Sequence, residues 1–112
     1  MQGENEIQHD IMEYLVLRGF KVWRQNIGRT GGVNHGAKGM SDIGGILPGG
    51  KYLAVEVKRQ DGKLTVEQRV FLDTVRELGG LAVVARSVAD VVNAINDYLF
   101  ALERRTGKEA RR

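Results

Sequence analysis

The sequence contains no cysteine and only one proline among 112 residues. Without cysteine, disulfides and cysteine-based zinc sites are excluded. No uninterrupted apolar run approaches the roughly 18 residues that a membrane span requires, and the start of the chain lacks the basic and apolar regions of a signal peptide. We therefore expect a single cytoplasmic domain without a membrane segment.

Glycine and positive charge are the features present in excess, with 15 glycines and a formal net charge of +3. Part of that charge lies in residues 105–112, which we expect to form a basic, disordered tail after a domain of residues 1–104. Five of the glycines lie between Gly28 and Gly39. This stretch lacks the spacing of a P-loop or a dinucleotide fingerprint, so it predicts no nucleotide cofactor. We expect a substrate loop, with Arg29 and Lys38 on phosphates.

The stretch from Ser41 to Lys58 predicts a β-hairpin with a turn at residues 48–50. In its second arm, Glu56 and Lys58 alternate with apolar residues and so share one face. If Leu47 pairs with Lys51, the register places Asp42 directly opposite Glu56. A slip of one residue would send the two carboxylates to opposite faces.

Opposed carboxylates in an antiparallel pair have Cβ atoms only about 4.5 to 5.5 Å apart and repel each other. Mg²⁺, or Mn²⁺ in its place, would offset this repulsion, because one or two carboxylates usually hold Mg²⁺ together with water and phosphate oxygens. Lys58 adds a cation to the same face. Without Asp42, the residues Glu56 and Lys58 would indicate only the solvated face of a strand. With Asp42 opposite Glu56, the three residues favour metal-assisted phosphodiester hydrolysis.

These residues resemble the VRR-NUC (virus-type replication-repair nuclease) domain of the PD-(D/E)XK nuclease superfamily. Ser41 stands directly before Asp42 where the superfamily's name has proline. The resemblance spans nearly the whole chain and includes Glu6, Lys38-Gly39-Met40-Ser41-Asp42, Glu56-Val57-Lys58, Gln68 and Gly79-Gly80-Leu81-Ala82.

The resemblance implies a role for each matching residue. Asp42 and Glu56 would bind the metal, and Lys58 would assist the attacking water. Glu6 would be an outer metal ligand or hold a water, and Gln68 would support the site. We also expect Ser41 to contact DNA beside Arg29 and Lys38.

Two of these residues have an ordinary structural explanation as well. Glu6 lies in the first turn of a predicted helix over residues 4–18, where the helix dipole favours an acid. Thr65 and Gln68 form a capping-box pattern at the start of another helix. Because one amide cannot easily fill both roles at once, the sequence leaves open whether Gln68 is a site residue or a cap.

The expected fold is α/β, with the order α-β-β-β-α-β-α and a PD-(D/E)XK nuclease-like mixed sheet flanked by helices. The apolar run at residues 81–85 predicts a buried strand, and its connection through a helix implies a parallel neighbour. We expect the preceding helix to bury Val70, Phe71, Val75 and Leu78.

The function expected from the resemblance is that of a metal-dependent endodeoxyribonuclease of a bacterial or phage-infected cell. Its substrate would be branched DNA such as four-way (Holliday) junctions, which implies a role in DNA repair. Two symmetric cuts in such a junction need two active centres, so we expect a homodimer. The alternatives are a non-catalytic DNA-binding module of the same fold and a nuclease without branch preference.

Overall fold

A computed structural model describes residues 2–25 and 38–110, with side chains up to Arg105. Arg29, predicted to contact phosphate, lies outside these residues. None of the helices described is both long and apolar enough to cross a membrane. In chain order the elements are α1 (Glu4–Leu17), β1 (Lys21–Arg24), β2 (Ile43–Ile46), β3 (Tyr52–Val57), α2 (Val66–Glu77), β4 (Leu81–Ala85) and α3 (Val88–Ala110).

The four strands form one mixed sheet in the order β1-β2-β3-β4. The first three strands are antiparallel neighbours, while β4 runs parallel to β3. A parallel neighbour needs a crossover connection, which α2 supplies. The predicted α-β-β-β-α-β-α order and the mixed sheet are therefore confirmed.

The alternation along β3 assigns the two faces of the sheet. Leu53, Val55 and Val57 belong to the core cluster that contains the buried residues of α1 and α3. Ala54 instead packs in a smaller cluster with residues of α2. Since successive side chains of a strand point to opposite faces, Glu56 lies on the α2 face with Ala54.

The buried face of α2 differs from the expected one. Leu72 and Val75 are buried, but Val70 and Leu78 are exposed by 58% and 84%. Gln68, Leu72 and Val75 follow one another at four- and three-residue spacing, and residues so spaced share one side of a helix. The helix is therefore turned so that Gln68 lies on the side that faces the sheet.

Residues 105–110 of the basic tail expected to be disordered continue α3 instead, because this helix runs to Ala110; residues 111–112 lie outside the described part of the chain. Residues 103–105 are Glu, Arg and Arg, and Lys, Glu and Ala follow at 108–110. These residue types have high helix propensity, and no proline interrupts them. The correction concerns only the backbone of the last turns.

Candidate active site

The register between β2 and β3 brings the two predicted carboxylates together. Ile43 pairs with Val55 and Ile46 pairs with Tyr52. The backbone N–H of Leu47 donates to the carbonyl of Lys51 at 2.8 Å, which is the pairing on which the register was predicted. One step before Ile43, the same register sets Asp42 opposite Glu56.

Asp42 is held by backbone groups from two neighbouring strands. Its Oδ2 atom accepts a hydrogen bond from the backbone N–H of Val57 at 2.8 Å. Its carbonyl oxygen accepts one from the backbone N–H of Gln25 at 2.8 Å. Asp42 thus ends the pairing of β2 with a side-chain contact, and its carboxylate is fixed beside the end of β3.

Gln25 fixes the residue before Asp42 as well. Its Nε2 atom donates to the Oγ and the carbonyl oxygen of Ser41 at 2.9 and 3.1 Å. The Ser41 hydroxyl in turn donates to the carbonyl of Ile43 at 3.0 Å, and Ser41 is fully buried. The structure therefore gives no support to a DNA contact by Ser41; this hydroxyl orders the backbone around Asp42.

Glu56 is a buried carboxyl group, with only 1% of its surface exposed. Its pKa is raised from an ordinary 4.5 to about 9, mainly by burial; a hydrogen bond to Asp42 and the charge of Asp42 add to this increase, and the charge of Lys58 opposes it. Burial dominates because the charged form of a carboxyl group loses its hydration there. In the absence of a cation, Glu56 is therefore protonated at neutral pH.

The two oxygens of Glu56 have different surroundings. Oε1 accepts a hydrogen bond from Nε2 of Gln68 at 3.2 Å. Oε2 is buried, and no hydrogen-bond donor among residues 2–25 and 38–110 reaches it. A buried oxygen without a donor needs an explanation, and either the proton of the neutral acid or a bound ion supplies one.

Gln68 fills both of the roles that the sequence left open. Its Oε1 atom accepts from the backbone N–H of Thr65 at 2.9 Å, and its own backbone N–H donates to Oγ1 of Thr65 at 3.1 Å, which completes the capping box. Its Nε2 atom donates to Glu56. The expectation that one amide cannot easily serve both roles was wrong, because the cap uses the oxygen and the site uses the nitrogen.

The structure places Glu4, and not Glu6, in contact with the chain beside the site, although both side chains are exposed. The charge of Glu4 contributes to the raised pKa of Glu56. Its Oε2 atom accepts a hydrogen bond from the backbone N–H of Arg59, one residue beyond Lys58, at 3.3 Å. Glu6 is exposed in the first turn of α1, and its side chain has no hydrogen bond or ion pair with another residue of the described part.

Helical spacing explains the difference and could have been used to find Glu4. Ile7, Ile11 and Leu15 are the buried residues of α1. Glu4 precedes them by three, seven and eleven residues, which places it in line with this stripe at 100° per residue. Glu6 lies two residues, or 200°, from Glu4 and therefore points away from the sheet.

Lys38 lies near the first turn of α2. Its Nζ atom is 3.6 Å from a carboxylate oxygen of Glu67, and its side chain is 82% exposed. The next residue, Gly39, has a φ of +78° and touches the backbone of Glu67 so closely that a Cβ would lie 2.3 Å from it. Gly39 thus fixes the chain that leads to Asp42 against α2 and leaves Lys38 at the surface.

The donor atoms fit a divalent cation held by two protein carboxylates. Within residues 2–25 and 38–110, no group of three or more histidine, aspartate or glutamate side chains could hold a metal ion. Asp42 and Glu56 supply carboxylate oxygens, which Mg²⁺ prefers, and Oε2 of Glu56 is the buried oxygen that lacks a donor. Of the predicted set of Asp42, Glu56 and Glu6, the structure brings the first two together.

Comparison with known proteins agrees with the observed fold. The family model of the VRR-NUC domain matches residues 4–89. The chain belongs to the VRR-NUC family. A solved structure of a VRR_NUC domain protein superposes with a TM-score of 0.59 at 18% identity and covers 88% of each chain. At that identity the likeness concerns the fold, and no curated protein matches the chain.

The VRR-NUC fold therefore brings Asp42, Glu56, Lys58 and Gln68 to one end of β3, on or beside the α2 face. Sequence reasoning missed Glu4 and Gln25. For Gln25 no sequence signal was available, because its role depends on the pairing of β1 with β2 and on the buried hydroxyl of Ser41.

The raised pKa of Glu56 makes a prediction about stability in chelator. Between about pH 4.5 and 9 the unfolded chain loses the Glu56 proton and the folded protein keeps it. The stability that the protonated group contributes is thus fully present below pH 4.5 and is lost as the pH rises through 9. Glu56→Gln should therefore become progressively more stable than wild type as the pH rises, by at most about 1.4 kcal/mol per pH unit.

Thermal melts of both proteins from pH 5 to 9 test this expectation. Glu67→Gln is the matched control of opposite sign, because a backbone hydrogen bond and Lys38 lower the pKa of Glu67. Glu67→Gln should therefore lower the free energy of unfolding at pH values above the ordinary carboxyl pKa. A constant difference between Glu56→Gln and wild type across the range would show that Glu56 is not buried as a neutral acid.

Proposed function

We propose that this VRR-NUC protein is a metal-dependent endodeoxyribonuclease that hydrolyses phosphodiester bonds in DNA. The observation that carries the proposal is the pair of carboxyl groups at the ends of β2 and β3, with one buried oxygen of Glu56 that no described donor reaches. A solvated strand face would leave this carboxyl group exposed, since its removal from water is costly.

Asp42 and Glu56 would hold Mg²⁺, or Mn²⁺, at this pair. When bound, the cation supplies Lewis-acid stabilisation of the phosphate and lowers the pKa of water. Asp42 is suited to this role because backbone N–H groups of two strands fix its position. Gln68 keeps Glu56 oriented through a hydrogen bond to Oε1, which leaves Oε2 available for the cation.

Lys58 provides positive charge where negative charge develops during hydrolysis. Its effect on the pKa of Glu56 supports its closeness to the carboxyl pair. As water attacks phosphorus and the bond to the leaving oxygen breaks, an ammonium group there stabilises the transition state more than the ground state. Glu4 lies on the other side of the loop after Lys58 and would accept a hydrogen bond from a water in the site.

Basic residues around the site would supply most of the DNA affinity. Lys38 is exposed, and its ion pair with Glu67 at 3.6 Å is a surface contact of low energy that a phosphate can replace. Arg29, which lies outside the described residues, would also bind a phosphate. Phosphate contacts of this kind dominate affinity and are independent of base sequence.

The carboxyl pair and Lys58 should be required for cleavage but not for DNA binding. Glu56→Gln, Asp42→Asn and Lys58→Ala should each reduce the cleavage rate at least about 100-fold, in the range found when a single group that stabilises the transition state is removed. Plasmid cleavage with and without Mg²⁺, together with DNA affinity in chelator, measures both effects.

The two acidic residues of α1 provide a matched pair in the same assay. Glu4→Gln should slow cleavage, whereas Glu6→Gln should leave it unchanged, because only Glu4 affects the carboxyl pair. The opposite result would return the role to Glu6. If wild type binds DNA but does not cut it with any divalent cation, the chain is the non-catalytic DNA-binding module.

For the finer substrate, we propose branched DNA such as a four-way junction, cut by a homodimer. One chain offers one carboxyl pair, so two symmetric cuts need two chains related by a two-fold axis. Exposed apolar side chains that a self-complementary interface would cover are present at the end of α1 and on α3: Val16, Leu17 and Phe100.

Sedimentation at assay concentration should therefore detect a dimer, and junctions should be cut faster than linear duplex of equal length. Leu17→Lys should weaken the dimer if this end of α1 is in the interface, since it would bury a charge. A monomer that cuts both substrates equally would contradict the dimer and the branch preference while leaving the nuclease proposal intact.

A further inference from the structure

Three backbone carbonyls of the loop after β3 converge on one side chain. Arg86, the first residue after β4, donates from Nη1 to the carbonyl oxygens of Arg59 and Gly62 at 2.7 Å each and to that of Gln60 at 3.3 Å. Hydrogen bonds from a charged donor are stronger than neutral ones. The loop forms neither helix nor strand, so the backbone pairing of those elements supplies no donors to its carbonyl oxygens. The guanidinium of Arg86 supplies hydrogen-bond donors instead.

The loop of residues 59–62 lies against two side chains of the site. The backbone N–H of Arg59 donates to Oε2 of Glu4. A Cβ on Gly62 would lie 3.3 Å from the same Glu4 oxygen and 3.5 Å from Cδ of Lys58. Gly62 therefore packs between Glu4 and Lys58, and a shift of this loop would move both.

Arg86 is itself fixed to two other elements. The residue before it, Ala85, accepts a hydrogen bond from the backbone N–H of Lys58 at 2.9 Å. The backbone N–H of Arg86 donates to Oδ2 of Asp90, in the first turn of α3, at 2.8 Å. The guanidinium thus extends to the loop from a backbone that β3 and α3 hold in place.

We infer that Arg86 is a positioning residue for DNA cleavage, which holds the loop of residues 59–62 and thereby sets Lys58 and Glu4 relative to Asp42 and Glu56. The inference rests on the proposed nuclease activity. Arg86 acts through the loop and not on DNA, so its loss lowers the rate at saturating DNA and leaves affinity nearly unchanged. Displacement of a catalytic group by about 1 Å can cost on the order of 100-fold in rate.

Arg76 is a matched control of the same chemistry at the other end of β4. Its Nη2 atom donates to the carbonyl of Ala82 at 3.1 Å, and its Nη1 atom pairs with Asp73 at the same distance. Like Arg86, it links a guanidinium to a backbone carbonyl. Its partners lie away from Lys58 and Glu4, so its removal costs contacts without moving the site.

The test measures single-turnover cleavage at saturating protein, DNA affinity in chelator, and amide exchange of residues 59–62, at a temperature where all variants are folded. Arg86→Met should cut about 10- to 100-fold more slowly, with affinity within about threefold of wild type and faster exchange in the loop. Arg86→Lys keeps an ammonium donor and should fall between Arg86→Met and wild type. Arg76→Met should match wild type in rate and in loop exchange.

If the Arg86→Met protein cuts DNA at the wild-type rate, the inference is overturned. A decrease in DNA affinity without a decrease in cleavage rate would also overturn it, because Arg86 would then be a phosphate contact. If Arg86→Met does not fold, a wild-type rate in Arg86→Lys with fast loop exchange would also overturn it. An inert wild type would reject the proposed function itself, so the two failures are distinguishable.

Discussion

The close approach of Asp42 and Glu56 is the constraint on which the rest of the site depends. The pairing of β2 with β3 sets the two residues opposite each other, and the packing of α2 over Glu56 removes most of the water that would screen them. The metal-free protein avoids two adjacent charges by keeping a proton on Glu56, whose pKa burial raises to about 9. A cation would remove the need for that proton.

The hydrogen bonds around the pair also connect fold and site. Gln68 caps α2 with its oxygen and holds Glu56 with its nitrogen, so the start of this helix and the position of the carboxyl group are set together. Gln25 similarly joins the end of β1 to Ser41 through its side chain and to Asp42 through its backbone N–H. These contacts make the site part of the sheet architecture.

The sequence predicted the parts of the site that follow from strand periodicity and pairing. The turn at residues 48–50 and the pairing of Leu47 with Lys51 were enough to place Asp42 opposite Glu56. The face of α2 was predicted less well, because its apolar residues are spread around the helix and Gln68 was not counted as a core-facing residue. Helical spacing favours Glu4 as the acidic residue of α1 that faces the site, since it is in line with Ile7 and Ile11. Glu6 was predicted instead, from the resemblance to the VRR-NUC family.

Other features depend on contacts between distant parts of the chain, which no local pattern reveals. Ser41 is held by Gln25, the residue after β1, and the loop after Lys58 is held by Arg86, the residue after β4. Both partners are polar residues beside a strand, where sequence alone indicates only a solvated surface. Their roles appear once the sheet order β1-β2-β3-β4 brings them beside the site.

The central claim, that Asp42 and Glu56 share one cation in exchange for a proton, is tested most directly by calorimetric titration of Mg²⁺ or Mn²⁺. Titration at pH 7.5 in buffers of different ionisation enthalpy measures the protons released per ion bound. Wild type should release about one proton per ion, because a metal-bound carboxylate must be deprotonated, and Glu56→Gln should bind more weakly and release about none. Binding without proton release in wild type, or equal release in both proteins, would contradict the account.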